Sequence, residues 1–426
     1  MKKFVKTLGL LFLFTSFLGI SGCGKKDTPT TEETTIEPFV LKEGKITVDF
    51  YQLGIKNHYN YGHGNFEMYA GEKMTFSTDV ECGYNFLGWY VNDELVSTDK
   101  SYTVTVVADK TLNVIPKAEP YEELKNFVFQ GAINKGFSDG TEYYEEGVYI
   151  TDVKDKTVEE IVVPEYVIGI SGGAFNGCSN LKKLTIPRIG SYEPEEGTDN
   201  DSRFLHFGYM FDGEEYENSI LAESSTNYYD YYLPASLEEV VITNAEYIPT
   251  EAFDGYTSIK KITIPNTVKR ICAYAFYGCQ AEIVFEDGQI VEEIGRNAFT
   301  DYSGESICIP NSVKKIGRSA FMDSTAKISW EENSKVTEFV EYAFYRYKGD
   351  LIIPLSVTTI GEGAIYINSN YKIFYEGSST DWSRITLDNQ GSLFNSIPRY
   401  YYSRVQPTSA GNYWHYGNNR EVLIWL

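Results

Sequence analysis

Histidine is scarce in this chain: His58, His63, His206 and His415 are the only 4 among 426 residues, and none has zinc-ligand spacing. Cysteine is sparse too. Beyond Cys23 stand Cys82, Cys178, Cys272, Cys279 and Cys308, without a C-x-x-C pair, and the odd number argues against a disulfide framework. Four of these five lie inside a repeated pattern, where cysteine is expected as a small buried apolar residue. Positive charge is short as well: 37 Lys and Arg face 60 Asp and Glu. The net charge of −23 becomes −26 once Lys2, Lys3 and Lys6 are set aside. Binding nucleic acid or an anionic bilayer needs clustered cations, so both are excluded as partners. Beyond the first 23 residues no apolar run approaches the ~20 needed to span a membrane. No G-x-S-x-G, Cys/His pairing or Gly-rich phosphate loop occurs. Asp199-Asn200-Asp201 starts like a calcium loop but lacks the glycine and the closing glutamate. The expectation is a non-enzymatic protein with no cofactor and no metal.

What the chain does have is one phrase rewritten many times. GAFNGCSNLKKLTIP at 173–187 returns as EAFDGYTSIKKITIP at 251–265. The phenylalanines of the Ala-Phe pair fall at Phe175, Phe253, Phe276, Phe299, Phe321 and Phe344, with Ile365 in the seventh slot. From Phe253 onward the spacings are 23, 23, 22, 23 and 21 residues. A period of that size means a solenoid, whose units bury their apolar edges only against each other. A long shared surface follows, suited to binding a partner.

The first residues, MKKFVKTLGLLFLFTSFLGISGC, carry a basic start, an apolar run from Leu8 to Ile20, and small residues before Cys23. This is a secretory signal peptide and stands outside the fold. Its end, Ile20-Ser21-Gly22-Cys23, resembles the lipobox of bacterial lipoproteins. That resemblance implies cleavage after residue 22 and lipidation of Cys23, leaving the protein tethered outside the cell through its acyl chains alone. Residues 23–45 then form a linker rich in Thr, Glu, Lys and Pro, too polar to fold. Extended, its 22 residues after Cys23 reach about 75 Å.

Residues 46–117 read as a small all-β domain, because KITVDFYQLGI, EKMTFSTDV and SYTVTVVADKTLNVIP alternate apolar and polar positions. Gly71, Gly83-Tyr84, Phe86, Gly88-Trp89-Tyr90, Tyr102 and Ala108–Leu112 resemble the divergent internalin B-repeat. The resemblance implies a β-grasp-like fold, with Trp89 as a core anchor.

The remaining chain reads as a mostly β solenoid: a lead-in cap at 119–147, about nine coils of 22–23 residues over 148–377, and a closing cap at 378–426. Each coil holds two short strands. The first is apolar-x-x-apolar, as in Val268…Ile271 and Val291…Ile294; the second is Leu-x-x-Leu-x-Ile, as in Leu181…Leu184-Thr185-Ile186. Apolar positions point inward, and the Ala-Phe pair follows the turn, setting Phe on Phe. Proline after the second strand, at 164, 187, 265, 310 and 354, ends pairing because it has no N–H to donate. The pattern Ala-Phe-x-Gly-Cys-x-x-Leu-x-x-Leu-x-Ile-Pro resembles the BspA-like leucine-rich repeat of bacterial surface proteins. NFVFQGAINKGFSDGTEYYEEGVYITDV (126–153) resembles the hairpin that opens such arrays, and YYYSRVQPTSAGNYWHY (400–416) a segment that closes them. The family implies a role in adhesion or protein recognition.

Outward positions alternate in charge between coils: Glu159-Glu160, Lys182-Lys183, Glu238-Glu239, Lys260-Lys261 in the second strand, and Lys269-Arg270, Glu292-Glu293, Lys314-Lys315, Thr337-Glu338, Thr358-Thr359 in the first. Opposite charges across strands attract, so the alternation is expected to fix stacking register; a charged ligand-reading face is the competing reading. One insertion, 188–236, interrupts the repeat between Phe175 and Phe253, with eleven acidic residues and the run Asn227-Tyr228-Tyr229-Asp230-Tyr231-Tyr232. Tyrosine is enriched at recognition surfaces, so Tyr228, Tyr229, Tyr231 and Tyr232 are the candidate contacts. Two readings of the insertion stay open, a binding site or a cover for the solenoid's flank. The function expected is binding a host or neighbouring-cell protein in adhesion; glycan capture through exposed aromatics, Trp414 and Tyr416 among them, is the alternative.

Overall fold

A computed structural model describes residues 42–425, apart from 54, 57–62, 139–140, 191–202, 223–229 and 369. The alternating segments near the start form the expected all-β domain. Its five-stranded sheet runs in the order His63–Tyr69, Glu43–Asp49, Thr111–Pro120, Tyr84–Val91, Glu94–Ser97, with the second and third parallel. Trp89 is fully buried at its centre, 6.0 Å from Phe50 and 6.1 Å from Phe76. The strand Thr111–Pro120 hands over to a short 3-10 turn, Glu122–Leu124, whose buried Leu124 already belongs to the solenoid core. The antiparallel hairpin Phe127–Ser138 and Thr141–Val153 follows, its second strand pairing in parallel with Val167–Ile170.

The second strands stack in parallel register. Glu160–Val162, Lys183–Ile186, Glu239–Ile242, Lys261–Ile264 and Glu282–Phe285 form one ladder. Ser306–Ile309 and Lys327–Trp330 pair next, followed by Leu351–Ile353, Ile373–Tyr375, Arg399–Tyr402 and Tyr413–Tyr416. A parallel row of first strands runs from Tyr247–Ile248 to Thr386–Leu387. The solenoid has about 11 turns, two beyond the nine expected. The extra turns lie in 378–426, where the strands have lost the Leu-x-x-Leu spacing and the Ala-Phe pair by which a coil is recognised.

Inside, the Ala-Phe column is realised as a ring stack. Phe253, Phe276, Phe299, Phe321 and Phe344 follow one another at centroid distances of 5.4, 5.1, 5.1 and 5.4 Å, nearly coplanar in orientation. The backbone beside them forms its own ladder: the N–H groups of Phe253, Phe276, Phe299, Phe321 and Phe344 donate to the carbonyls of Ala275, Ala298, Ala320, Ala343 and Ala364. To aim these groups along the axis, the residue two before the phenylalanine, or before Ile365 in its slot, turns left-handed in each coil that carries the Ala-Phe phrase. Gly173, Glu251, Tyr274, Asn297, Ser319, Tyr342 and Gly363 all have φ between 54° and 71°. Glycine and asparagine suit that conformation; the other side chains adopt it under constraint from the ladder.

Coils also alternate in size. Tyr256, Tyr302 and Tyr347 fill the position three after the phenylalanine in every second coil, and Cys279 and Ser324 fill it between them. Tyr302 Oη donates to the Ala281 carbonyl at 2.7 Å and Tyr347 Oη to that of Ala326 at 2.9 Å, reaching across the small residue's coil. The structural unit is thus a pair of coils, the same two-coil period that the charges follow.

Candidate recognition surface

The insertion is built from the core outward. Its 3-10 helix Phe207–Phe211 occupies a place in the phenylalanine column. Phe211 lies 5.7 Å from Phe175, and Phe207 lies 5.1 Å from Phe253. The backbone ladder passes through the same helix: Phe175 N–H donates to Met210 O at 2.8 Å and Phe207 N–H to Ala252 O at 3.0 Å. Gly208 N–H donates to Tyr256 Oη at 2.8 Å, and a Cβ at Gly208 would lie 2.5 Å from that oxygen. His206 Nε2 sits 3.5 Å from Glu251 Oε2, both buried. The gap from Phe175 to Phe253 therefore spans two periods of the column, with Phe207–Phe211 at the place between them, not the single interrupted period expected. The sequence conceals that place because Phe-Gly-Tyr-Met-Phe replaces the Ala-Phe phrase.

From this place in the column a hairpin projects, Ser219–Ala222 against Tyr231–Pro234. Strand alternation sorts its side chains. Ala222 and its partner Tyr231 face the core, at 8% and 6% exposure, while Leu221 and its partner Tyr232 face the other way. Leu221 is exposed and Tyr232 half-buried. Tyr231 is thus core material, lying 5.9 Å from the His206 ring. Tyr228 and Tyr229 lie outside the described residues, as does Asp199-Asn200-Asp201. The surface left by the described part pairs Leu221 with Tyr232, whose N–H donates to the carbonyl of exposed Asp212 at 3.1 Å. Leu221 is missed by a search for tyrosines; only its register opposite Tyr232 reveals it.

The alternating charges are committed to one another. Lys182 reaches Glu159 at 2.9 Å, Lys183 reaches both Glu160 at 3.5 Å and Glu239 at 3.9 Å, and Lys260 reaches Glu238 at 2.6 Å. In the first-strand row Arg270 meets Glu293 at 3.3 Å and Lys315 meets it from the other side at 3.6 Å. Such pairing is what a register device requires.

Other expectations need correction. Trp414 is fully buried, its Nε1 donating to Tyr375 O at 2.9 Å, and Tyr416 gives its hydroxyl to Glu376 at 2.5 Å beneath Arg420. Neither is a free sugar platform; both close the end of the core. Among the cysteines Cys178, Cys272 and Cys279 are buried as expected, but Cys308 is exposed, because it takes the outward position between Ile307 and Ile309. Burial pushes the Cys178 thiol up to about 11 and the Cys279 thiol to about 12. Among the described residues no group of three His, Cys, Asp or Glu could hold a metal ion, and no helix is long and apolar enough to cross a membrane.

The geometry defines a leucine-rich-repeat solenoid. The model of the BspA type leucine rich repeat region matches in six copies, over 153–193 and 246–372, and these residues are BspA-type repeats. No curated protein matches the chain. Among solved structures it is similar to the pneumococcal vaccine antigen PcpA, at 20% identity over 59% of this chain and 49% of that one, with a TM-score of 0.28. This chain thus spans about half the length of that antigen. A leucine rich repeat protein of T. pallidum matches at 19% identity, 56% and 79% coverage and TM-score 0.26. One from Bacteroides ovatus matches at 17%, 68% and 80%, with TM-score 0.22.

Proposed function

We propose that this protein is a bacterial surface lipoprotein, anchored through Cys23, whose solenoid binds a protein partner in adhesion to host or neighbouring cells. The observation that carries the reading is the insertion's division of labour. Its 3-10 helix completes the core, so the hairpin is held on a rigid base while Leu221 and Tyr232 face outward. An apolar side chain and a tyrosine side by side, with an acidic neighbour in Asp212, make a small recognition centre with a polar rim. BspA-type repeats support a binding role, and the end of the signal peptide supports the lipid anchor. No enzymatic step is assigned.

Two measurements test this. Cells grown with radiolabelled palmitate should label the chain, and Cys23→Ala should abolish labelling and release the protein from membranes. The full chain should retain a protein from host surface extracts, and Leu221→Asp with Tyr232→Ser should lose it. Retention unaffected by the double substitution would remove the hairpin from the account.

A further inference from the structure

The seam between the insertion and the array is closed by two buried ionisable groups. His206 stands at the entry to the helix Phe207–Phe211, in extended conformation with ψ of 140°. Glu251 precedes Ala252, whose carbonyl takes the Phe207 N–H at 3.0 Å, so the side-chain pair runs beside a rung of the backbone ladder. The two side chains are 2% and 8% exposed, and His206 Nε2 lies 3.5 Å from Glu251 Oε2. The register pair Lys182–Glu159 differs, since each partner keeps more than half of its side-chain surface in water. Glu251 also holds the left-handed position of the column, with φ of 57°. Glycine, asparagine, serine or tyrosine fills that place in the other coils, and none of these is charged. A buried carboxylate in that backbone conformation is costly twice over, and its approach to the imidazole offsets the cost.

The hairpin rests on the same imidazole. Tyr231 lies with its ring centre 5.9 Å from that of His206, and a Cβ at Gly208 would stand 2.6 Å from Tyr231 Cβ. The next residue of that strand is Tyr232, whose side chain faces the other way. His206 thus meets the array on one side and the hairpin on the other. Tyr256 packs at the same seam, its hydroxyl accepting from Gly208 N–H, and burial pushes that phenol far above its usual range. Buried Asp254, whose N–H donates to the Glu251 carbonyl at 3.3 Å, brings a further carboxyl to the turn.

We propose that this seam is a proton-operated latch: one proton shared by His206 and Glu251 holds the insertion and its hairpin against the array, and loss of that proton releases them. A neutral imidazole and a carboxylate together carry one negative charge, which the shared proton cancels. Losing it leaves net negative charge in the core, and a second proton leaves net positive charge; burial penalises both. In an unfolded chain the imidazole gives up its proton at about pH 6.5 and the carboxylate takes one at about pH 4.3. The folded seam therefore keeps its proton to higher pH than the unfolded chain does, and takes a second only at lower pH. Its contribution is complete between about pH 4.3 and 6.5, and it declines as pH rises beyond that window. Because Tyr231 and Tyr232 are consecutive, opening the seam also unseats Leu221 and Tyr232. A weaker hold on a protein partner above neutral pH follows, a step that rests on the hairpin being the contact.

The test reads the seam itself, without a partner. Hydrogen exchange of the full chain, followed by mass spectrometry and corrected for the intrinsic pH dependence of exchange, is compared at pH 5.5 and pH 8.0. Peptides covering 203–211 and 230–234 are expected to exchange at least tenfold faster at the higher pH, while those covering 299–344 stay unchanged. Exchange at the imidazole C2–H, read on the same samples, should show His206 still protonated above pH 6.5. His206→Gln with Glu251→Gln sets neutral amides in both places and should make the corrected exchange equal at the two pH values. The wild-type readings decide the matter even where that variant fails to fold. Equal corrected exchange at both pH values, a His206 already neutral at pH 6, or a pH dependence undiminished in a folded double variant would each overturn the latch. Leu221→Asp with Tyr232→Ser should leave the latch working, so failure of partner binding and failure of the latch are read separately.

Discussion

Phe207 lies 5.1 Å from Phe253 with its ring tilted by 30°, and its N–H donates to the Ala252 carbonyl next door. Two residues 46 apart in sequence are thus neighbours in one column, although only the second belongs to a recognisable repeat. The insertion is part of the column first and an excursion second.

Its removal should therefore be costly. Phe207→Ala empties a fully buried aromatic site and is expected to lower stability by about 3–5 kcal/mol, read from denaturant midpoints. Deleting 188–236 outright should abolish folding of the array, because Lys183–Ile186 and Glu239–Ile242 are adjacent rungs and the chain must circle once between them. A deletion protein with an unchanged unfolding transition would contradict this.

Reversing one rung of charge tests the register role. Lys183→Glu sets a carboxylate between Glu160 and Glu239. These side chains each keep about a third or more of their surface in water, so the cost should be about 1 kcal/mol or less at low salt and should shrink in 0.5 M salt, where screening lengths are a few ångströms. A loss independent of salt would point to packing instead of charge.

The left-handed column makes a prediction of opposite signs at one site. Ser319, at φ 54°, should accept Gly with an unchanged or higher melting temperature. Ser319→Val, β-branched in the same conformation, should lose on the order of 2 kcal/mol. Equal effects of the two substitutions would show that backbone strain is absent there.

Thiol chemistry should separate the cysteines. At pH 8 Cys308 should react with a thiol reagent first, while Cys178, Cys272 and Cys279 stay protected until the array opens. The buried thiols have a folded pKa raised above the unfolded value of about 8.5. The unfolded chain therefore loses those protons first. Stability from Cys178 and Cys279 is complete below pH ~8.5 and declines as pH rises toward their folded values of about 11 and about 12. Cys279→Ala should flatten that alkaline decline; an unchanged slope would refute the assignment to this thiol.

Much of this architecture is legible in the amino-acid sequence. The period of Phe253, Phe276 and Phe299 gave the coil, and Lys182-Lys183 opposite Glu238-Glu239 gave the order of rungs, because stacking requires both to recur at fixed spacing. What stayed hidden was structure that keeps the geometry without the phrase. Phe207–Phe211 makes a turn by 3-10 bonding, and Arg399–Tyr402 makes a rung from aromatic residues. Of the candidate site, composition identified the tyrosine-rich stretch but could not split Tyr231 from Tyr232, since that depends on which strand face meets the core. Trp414 misled for the same reason: an aromatic in a tail says nothing about which way it turns.

Adhesion of whole cells tests the central claim most directly. Cells displaying the full chain, or the chain with Leu221→Asp and Tyr232→Ser, would be counted on host-cell layers at matched surface amounts. The account predicts attachment by the first and at least a tenfold loss by the second. Equal attachment by both, or attachment no greater than cells lacking the protein, would contradict it.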